Sequence, residues 1–453
     1  KKDQKLLLDY NLLDAKLVYE IIHKSQTLDL SIQRSLLTGM PLDRVSASIA
    51  SFDSIYLNKA RERNLVCPSG KFSEKPSPIT GGFVMESKPG IYDNVLVLDF
   101  KSLYPSLMRT FNLDPMSFLG KKKEPNAVKA PNNVYFRNEQ GIVPEIISTL
   151  QEEREKAKKQ KNELASYAIK ILMNSFFGIM ASPSFRFFNM DMANAITHFG
   201  QYIIKLTAKK IEELGYEVIY SDTDSVFVDP KVESEVKAEK LGKEIESSIN
   251  NFYNDFIKKE YKRESFLELE FKKNYLRFLM PKTRSGEKGA KKRYAGLKQV
   301  HGKEEMEVVG LEAIRGDWTE AAQIFQKEIL DMIFHKKEIS NFIKKFIQDI
   351  LEGKYDEKLM YRKQIRKDLE KYTKITPPHV KAARKLEKLD SNIIEYYITA
   401  HGPEPKQKLK HKLDYGYYIE KQIKPIAEMI LIFFNLNFDD LIKGSKQTKL
   451  FTY

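Results

Sequence analysis

The chain has 453 residues, 42% of them hydrophobic, and its formal net charge at pH 7 is +14. This length exceeds what one ordinary hydrophobic core encloses, so we expect two or more domains. Cys67 is the only cysteine, which excludes an intrachain disulfide and a zinc site built from cysteines. The most apolar run, residues 429–436, is too short to cross a membrane.

The basic charge balance favours a polyanionic partner, nucleic acid before membrane. A lysine-rich composition without such a partner is the alternative that the charge alone leaves open. The sequence shows no signal peptide and begins at Lys1 rather than Met. We therefore expect a soluble intracellular protein and a sequence that is part of a longer one.

Hydrophobic spacing predicts the elements in chain order. Residues 2–24 repeat apolar side chains at helical spacing, and a loop-rich segment follows, with turn signals up to Gly81-Gly82. The run NVLVLDF at 94–100 is typical of a short buried strand. Beyond Trp318 the pattern predicts mostly helix. Between these regions, helices are predicted over 144–161, 163–179 and 189–214, and strands over 216–228, 267–280 and 291–300.

The stretch YSDTDSVFV, residues 220–228, places Asp222 and Asp224 at the turn of a predicted hairpin. Two close carboxylates repel each other, and burying them is costly unless a partner compensates. Hard oxygen ligands at a tight turn suit Mg²⁺. Two metal ions need carboxylates from separate elements, and Asp99, which follows a buried strand, is the candidate. Taken alone, the two aspartates are also consistent with an ordinary turn, where aspartate is common.

Four motifs occur in one order along the chain: DFKSLYPS (99–106), KILMNSFFG (170–178), YSDTDS (220–225) and KKRY (291–294). They resemble motifs A, B and C and the KKRY element of family B DNA polymerases. The resemblance extends from about residue 10 to the last residue. Further stretches are similar to a bacterial branch of the family: 81–111, 376–384, 401–405 and 413–428.

The resemblance implies a DNA-directed DNA polymerase that extends a primer 3′ end with deoxynucleoside triphosphates by a two-metal mechanism, in repair or damage-tolerant replication. The implied fold class is mixed α/β (α+β). It is a right-hand fold whose palm is built on a mostly antiparallel sheet, with helical fingers and a helical thumb. The implied location is the bacterial cytoplasm, at the nucleoid. The implied domains are an exonuclease remnant at 1–28, palm at 29–143 and 201–315, fingers at 144–200, thumb at 316–446 and a tail at 447–453.

The resemblance also assigns the catalytic centre. Asp99 and Asp224, with the backbone carbonyl of Phe100, would hold two Mg²⁺ ions. Asp222 would act as an auxiliary carboxylate, or it would merely cap the turn. These roles follow from the family pattern and not from the spacing alone.

The nucleotide site is assigned in the same way. Tyr104 would stack under the sugar and exclude a 2′-hydroxyl, although without the motif it would be taken for a core tyrosine. Phe177 stands where the family has tyrosine, so a hydroxyl contact would be lost. Without the family pattern, Arg154 and Lys158 would belong to an ordinary solvated helix face. The residues that would surround the incoming triphosphate and its base are Arg154, Lys158, Lys170, Asn174 and Phe177.

The KKRY element would hold primer–template DNA through phosphates and the minor groove, without reading its sequence. Its members are Lys291, Lys292, Arg293 and Tyr294. The family's YxGG element, which guides the template between sites, appears here as residues 79–82 without tyrosine, so that role is not carried over.

Both ends of the chain carry partial motifs. Tyr10 and Asp14 are similar to the last motif of a 3′–5′ exonuclease, but its other acidic motifs are not in this sequence, so we expect Asp14 to be a helix-surface residue. At the other end, Gln447, Leu450 and Phe451 resemble the peptide by which bacterial polymerases bind the sliding clamp. The alternative is a tail that folds Leu450 and Phe451 back onto the thumb.

Other function classes remain open at this point. A non-catalytic, polymerase-derived nucleic-acid-binding protein is the first, and the retention of Asp99, Asp222 and Asp224 argues against it. An RNA polymerase or reverse transcriptase is the second, and it would favour a small residue at the position of Tyr104.

Overall fold

Helices surround antiparallel sheets in this chain, and a computed structural model describes residues 2–72, 74, 78–283, 289–373, 376–389 and 391–443. The α-helices are α1 (Lys2–Ser25), α2 (Thr27–Thr38), α3 (Ser48–Glu62), α4 (Leu103–Phe111), α5 (Ile142–Lys159), α6 (Glu163–Met180), α7 (Met190–Glu213), α8 (Glu235–Tyr261), α9 (Glu320–Phe334), α10 (Ser340–Leu351), α11 (Pro378–Ala383), α12 (Tyr415–Tyr418), α13 (Lys424–Leu431) and α14 (Phe438–Lys443). The strands are β1 (Gly90–Phe100), β2 (Phe118–Gly120), β3 (Val128–Lys129), β4 (Tyr135–Phe136), β5 (Glu217–Asp222), β6 (Ser225–Asp229), β7 (Leu269–Met280), β8 (Tyr294–Val300), β9 (Lys303–Val309), β10 (Tyr361–Gln364), β11 (Ile393–Thr399) and β12 (Gly402–Pro405). The predicted α+β class and antiparallel sheet are confirmed.

The largest sheet has the strand order β5-β6-β1-β7-β8-β9, and each neighbouring pair is antiparallel. Successive side chains of β1 point to opposite faces, as in any strand. Leu96, Leu98 and Phe100 enter the core beneath the helices, where the Phe100 ring lies 5.9 Å from Tyr253 of α8. Val95 and Val97 pack in a separate cluster on the other face. Asp99 is in phase with these two valines, so it lies on the face of the sheet opposite α8.

Helices α5 and α6 form a hairpin beside this sheet. Asn162 caps α6, because its Oδ1 accepts a hydrogen bond from the Ala165 backbone N–H at 3.0 Å. The apolar side of the pair is buried through residues such as Ile147 and Leu172, and these belong to the same core as α4 and α7. The opposite side therefore carries the polar side chains that the sequence analysis assigned to the nucleotide.

A second core lies in the C-terminal part. Helices α9, α10 and α13 pack together around side chains such as Phe325, Phe346 and Ile426. This region also contains the sheet β10-β11-β12, which the prediction of mostly helix after Trp318 did not include. Its strands are only four to seven residues long, and Tyr361 and Tyr396 stack across two of them with ring centroids 5.2 Å apart. Such short segments leave too few residues for a clear two-residue period.

The predicted loop-rich segment after residue 24 is shorter than expected, because α2 and α3 occupy much of it. Helix α8 was also not predicted as a separate element. No helix in the described part of the chain is long and apolar enough to cross a membrane. The tail at 447–453, with its predicted clamp-binding residues, lies outside the described residues.

Helix α1 presents a large apolar surface. Leu6, Leu7 and Leu8 are between 67% and 71% exposed, and Tyr10 is 63% exposed. Asp14 on the same helix is exposed as well, as the sequence analysis expected. An exposed apolar patch of this extent usually marks a surface that packs against other structure.

Asp114 fixes the start of α5. It is fully buried, and its carboxylate accepts hydrogen bonds from the Tyr56 hydroxyl at 3.2 Å and the Val143 N–H at 2.8 Å. It also accepts from the backbone N–H groups of Met116 and Ser117, at 2.8 and 3.1 Å. Burial raises the pKa of Asp114, and the hydrogen bonds oppose that rise. One carboxylate thus joins α3, the loop after α4 and the first turn of α5.

We expect Asp114→Ala to lower the free energy of unfolding by about 3 kcal/mol, because it leaves buried donors without an acceptor. Denaturant unfolding followed by circular dichroism measures the change. Glu139→Ala, at an exposed position in the same region, is the matched control and should change stability by less than about 0.5 kcal/mol. Equal effects of the two substitutions would contradict the assignment.

Candidate active site

Strand pairing brings Asp99 and Asp224 together. Asp99 at the end of β1 lies directly opposite Ser225, the first residue of β6. The backbone N–H of Phe100 donates to the Asp224 carbonyl at 2.9 Å. Both carboxylates line one cavity of about 880 Å³. The structure therefore places two acidic residues, 125 positions apart in the sequence, at one site.

The turn that carries Asp224 has an unusual backbone. Thr223 has φ +59°, a conformation that β-branched residues rarely adopt. The Asp224 N–H donates to the Asp222 carbonyl at 2.6 Å across Thr223, which is the hydrogen bond of a γ-turn. A residue in such a conformation costs about 1–3 kcal/mol and persists only where the surroundings enforce it. The turn between β5 and β6 is thus strained next to the candidate catalytic carboxylate.

Partial burial and a neighbouring carboxylate disfavour the ionised form of both Asp99 and Asp224. Burial raises the pKa of Asp99 to about 6, and the charge of Asp224 adds to this rise. Burial also raises the pKa of Asp224, with a further contribution from Asp222. A cation between Asp99 and Asp224 would remove this repulsion, and carboxylate oxygens are the ligands that Mg²⁺ prefers. Within the part of the chain that the structure describes, no group of three or more acidic, histidine or cysteine side chains could hold a metal ion.

Asp222 lies apart from that pair. Both of its carboxylate oxygens accept from Lys292 Nζ at 2.6 Å, and the Tyr220 hydroxyl donates to it at 3.4 Å. The Tyr220 hydroxyl in turn accepts from the Lys292 backbone N–H at 2.9 Å. The charge of Asp222 is therefore compensated by the KKRY segment, while Asp99 and Asp224 face the cavity.

Cationic side chains from the helical hairpin line the opposite wall of the cavity. Arg154 and Lys158 come from α5, and Lys170 and Asn174 come from α6. The buried Nε of Arg154 has no hydrogen-bond partner among the described residues, although Lys158 forms an ion pair with Glu155 at 2.6 Å. The three cations predicted for the triphosphate, and Asn174 predicted to face the nucleotide, thus line the same cavity as the two carboxylates.

The rings of Tyr104 and Phe177 pack against each other at a tilt. Their ring centroids are 4.6 Å apart, with an interplanar angle of 32°. Tyr104 lines the cavity, and a Cβ at Gly200 of α7 would approach its ring to 3.3 Å. Burial raises the pKa of Tyr104, and the charge of Asp224 adds to the rise. The tyrosine therefore presents a neutral, sterically confined ring beside the carboxylates.

The four KKRY side chains have partners within the protein. Lys291 Nζ donates to the Val84 carbonyl at 3.0 Å, and Arg293 forms an ion pair with the buried Glu312. Tyr294 packs on Phe227 with ring centroids 5.3 Å apart. Lys292 pairs with Asp222, as described above. Their predicted contact with DNA stays a prediction.

Other cavity-lining residues were not singled out in the sequence. Glu268, Glu270 and Lys272 line the cavity from the β7 side, and Asp99 lies opposite Glu270 in the β1–β7 register. Lys101 forms an ion pair with Glu268 at 2.5 Å. The alternating charges of LELEFKK were the available signal, because alternate strand residues share a face.

Comparison with known proteins places this geometry in context. The profile of DNA polymerase family B matches residues 45–432. The chain is 38% identical over 459 residues to DNA polymerase II of Escherichia coli strain K12, covering 98% of this chain and 58% of that protein. It is 30% identical over 471 residues to a DNA polymerase of Thermococcus gorgonarius, covering 95% of this chain and 58% of that protein.

A solved structure gives the same result. The family B DNA polymerase from the hyperthermophilic archaeon Pyrobaculum calidifontis matches with a TM-score of 0.64 and 25% identity, over 99% of this chain and 57% of that chain. The chain therefore spans 57–58% of the length of these relatives.

Proposed function

This chain belongs to DNA polymerase family B, and we propose that it catalyses the template-directed addition of deoxynucleotides to a primer 3′ end with release of pyrophosphate. The observation that carries the proposal is one cavity with Asp99 and Asp224 on one wall and the cationic side chains of α5 and α6 on the other. Phosphoryl transfer depends on positioning and on stabilising charge, and this arrangement serves both.

Mg²⁺ is the proposed cofactor, held as two ions by the carboxylates of Asp99 and Asp224 and the carbonyl of Phe100. The raised pKa values of both aspartates support a cation site, since they reflect burial and repulsion that a cation would relieve. When bound, such ions would activate the primer hydroxyl and neutralise charge on the triphosphate. The substrates in this proposal are primer–template DNA and deoxynucleoside triphosphates.

Side chains of this chain would bind and orient the nucleotide. Arg154, Lys158 and Lys170 would compensate the charge of the triphosphate, which the carboxylates alone would repel. Asn174 and Phe177 would face the base, and the Tyr104 ring would lie under the sugar. The tight packing of Tyr104 between Phe177 and Gly200 supports this role, because a confined ring leaves little room for a 2′-hydroxyl.

The proposed domains follow the layers of the fold. The sheet that carries Asp99 and Asp224 would be the palm, and α5 and α6 would be the fingers. The thumb would be residues 316–446, whose described part supplies most of the second core. Helix α1 would be the remnant of an exonuclease domain, and its exposed apolar side chains support a larger neighbour. Clamp binding by 447–453, a role in repair or damage-tolerant replication, and a location at the bacterial nucleoid stay predictions.

A non-catalytic DNA-binding protein is the competing candidate. It would have no need to keep two mutually repelling carboxylates at a cationic cavity, and that arrangement favours catalysis. An RNA polymerase or reverse transcriptase is disfavoured by the Tyr104 ring at the cavity.

Asp99→Ala and Asp224→Ala should each lower magnesium-dependent primer extension by several orders of magnitude, because each removes a proposed metal ligand. Single-turnover primer extension measures the rate, and fluorescence anisotropy checks that duplex affinity is nearly unchanged. Asp93→Ala is the matched control on the same strand, where Asp93 is exposed and pairs with Arg277 at 2.5 Å. A near-normal rate for either active-site variant would overturn the metal assignment, and a wild-type protein without extension would leave the non-catalytic candidate standing.

Tyr104→Ala should increase incorporation of ribonucleotides relative to deoxynucleotides, because the ring that would confine the sugar is gone. Tyr104→Phe keeps the ring and should retain the discrimination of the wild type. Competitive incorporation of the two nucleotide classes opposite one template base gives the ratio. If the alanine variant discriminates as well as the phenylalanine variant does, another residue excludes the 2′-hydroxyl.

Lys291→Ala should weaken primer–template binding equally for all sequences and reduce the salt slope of binding by about one unit for a lost phosphate contact. Lys291 is chosen among the KKRY residues because its substitution breaks no ion pair of the described residues, whereas Lys292 pairs with Asp222 and Arg293 pairs with Glu312. Lys237→Ala is the control, because this exposed lysine lies on α8, on the face of the sheet opposite Asp99. Anisotropy titrations over a range of salt concentrations measure both variants, and a sequence-dependent loss would argue against a phosphate contact.

A further inference from the structure

A short segment preceding β1, residues 80–85, lies between α7 and the turn that carries Asp224; we call it the strap. Helix α7 holds one side of it. The Thr80 N–H donates to Asn194 Oδ1 at 3.0 Å, and Gln201 Nε2 donates to the Gly81 carbonyl at 2.7 Å. Lys205 Nζ lies 4.5 Å from the centre of the Phe83 ring. The strap is thus fixed to a helix that is buried in the main core.

The other side of the strap holds the turn itself. The Thr223 N–H donates to the Phe83 carbonyl at 2.9 Å, and the Met85 N–H donates to the Ser221 carbonyl at 3.0 Å. Val84 lies opposite Asp222 in an antiparallel bridge. The strap therefore pairs with the edge of β5 and continues alongside the strained residue.

Gly82 is the point of closest approach. A Cβ at this position would lie 2.8 Å from Thr223 Oγ1, 2.9 Å from Cγ2 and 3.3 Å from Cβ. A threonine side chain is short and branched at Cβ, so rotation would exchange one clash for another. Oγ1 also lies 3.1 Å from Asp222 Oδ1 and donates to it. The space at Gly82 is therefore filled by the residue whose φ of +59° shapes the turn.

We propose that the strap is a positioning element for Asp224, and that Gly82 must lack a side chain so that the strap can press on Thr223 and hold the turn in its left-handed form. The proposal rests on the proposed function, since Asp224 is taken there as a metal ligand. Hydrogen bonds on both sides prevent the strap from moving away, so an added methyl group at Gly82 would displace Thr223 and, with it, Asp224. A displaced carboxylate would lose its alignment with Asp99, and small misplacements of this kind slow catalysis by up to about 100-fold.

The neighbouring Gly81 supplies a matched control. Apart from its two chain neighbours, a Cβ at Gly81 meets no atom of the described residues within 4 Å, and neither of these two glycines has the positive φ that would itself disfavour alanine. Gly81→Ala and Gly82→Ala therefore add the same methyl group at adjacent positions. There is space for it at residue 81, whereas Thr223 occupies that space at residue 82.

The experiment compares the two variants in two assays. In primer extension, Gly82→Ala should lower kcat about 10- to 100-fold with little change in the affinity for duplex DNA, while Gly81→Ala should match the wild type. Without DNA or nucleotide, Mn²⁺ binding followed by electron paramagnetic resonance should weaken in Gly82→Ala alone. Thermal unfolding should be similar for the two variants, which separates misplacement of Asp224 from a general loss of structure.

A second background tests the route through Thr223. In Thr223→Gly the atoms that would meet the new methyl group are gone, so adding Gly82→Ala should cause little further loss of kcat or Mn²⁺ affinity. An equal loss in both backgrounds, or equal behaviour of Gly82→Ala and Gly81→Ala, would overturn the positioning role. A wild-type protein without primer extension would instead refute the proposed function, and the Mn²⁺ comparison would still decide whether the strap positions Asp224.

Discussion

The repulsion between two half-buried carboxylates is the constraint around which this site is arranged. Asp99 and Asp224 are brought together by the β1–β6 register, and burial raises the pKa of each. A β-sheet does not by itself favour two carboxylates so close together, so the surrounding structure must keep Asp99 and Asp224 in place. The cations of α5 and α6 face the pair across the cavity, which places positive charge where a polyanionic substrate would bring more negative charge.

Backbone strain accompanies both acidic motifs. Ser102, three residues after Asp99, has φ +49°, and Thr223, next to Asp224, has φ +59°. Neither residue is glycine, so each conformation must be enforced by its neighbours. At Ser102 the chain leaves β1 and enters α4, which carries Tyr104. At Thr223 the strap supplies the hydrogen bond and the contact. At both positions the chain turns sharply. The turn exposes side chains to the cavity, whereas a strand that continued straight would bury them.

Much of the fold and the site could be predicted from the sequence, namely those elements whose structure is determined by a local residue pattern. The helices over 142–180 and the hairpin at 217–229 lie close to their predicted bounds, because their apolar patterns are long enough to identify. The sheet β10-β11-β12 was not predicted, because its strands are too short to show a clear alternation of apolar and polar residues. The motifs indicated Asp99 and Asp224 correctly as neighbours, but the sequence analysis did not single out Glu268 and Glu270, which line the same cavity. The role of Gly82 depends on a contact 141 residues away, which no local pattern records.

Asp222 shows why sequence spacing alone does not assign a role. Only Thr223 separates it from Asp224, and in a continuous strand both carboxylates would share a face. The γ-turn at Thr223 breaks that continuity, so Asp222 ends β5 and pairs with Lys292, while Asp224 turns toward Asp99. The pairing has an electrostatic consequence, since Lys292 compensates one of three negative charges in a small volume. It also joins the KKRY segment to the acidic turn through one ion pair and the shared Tyr220 hydroxyl. The same short turn therefore gives the two carboxylates different surroundings: Asp222 forms an ion pair with Lys292, and Asp224 faces the cavity.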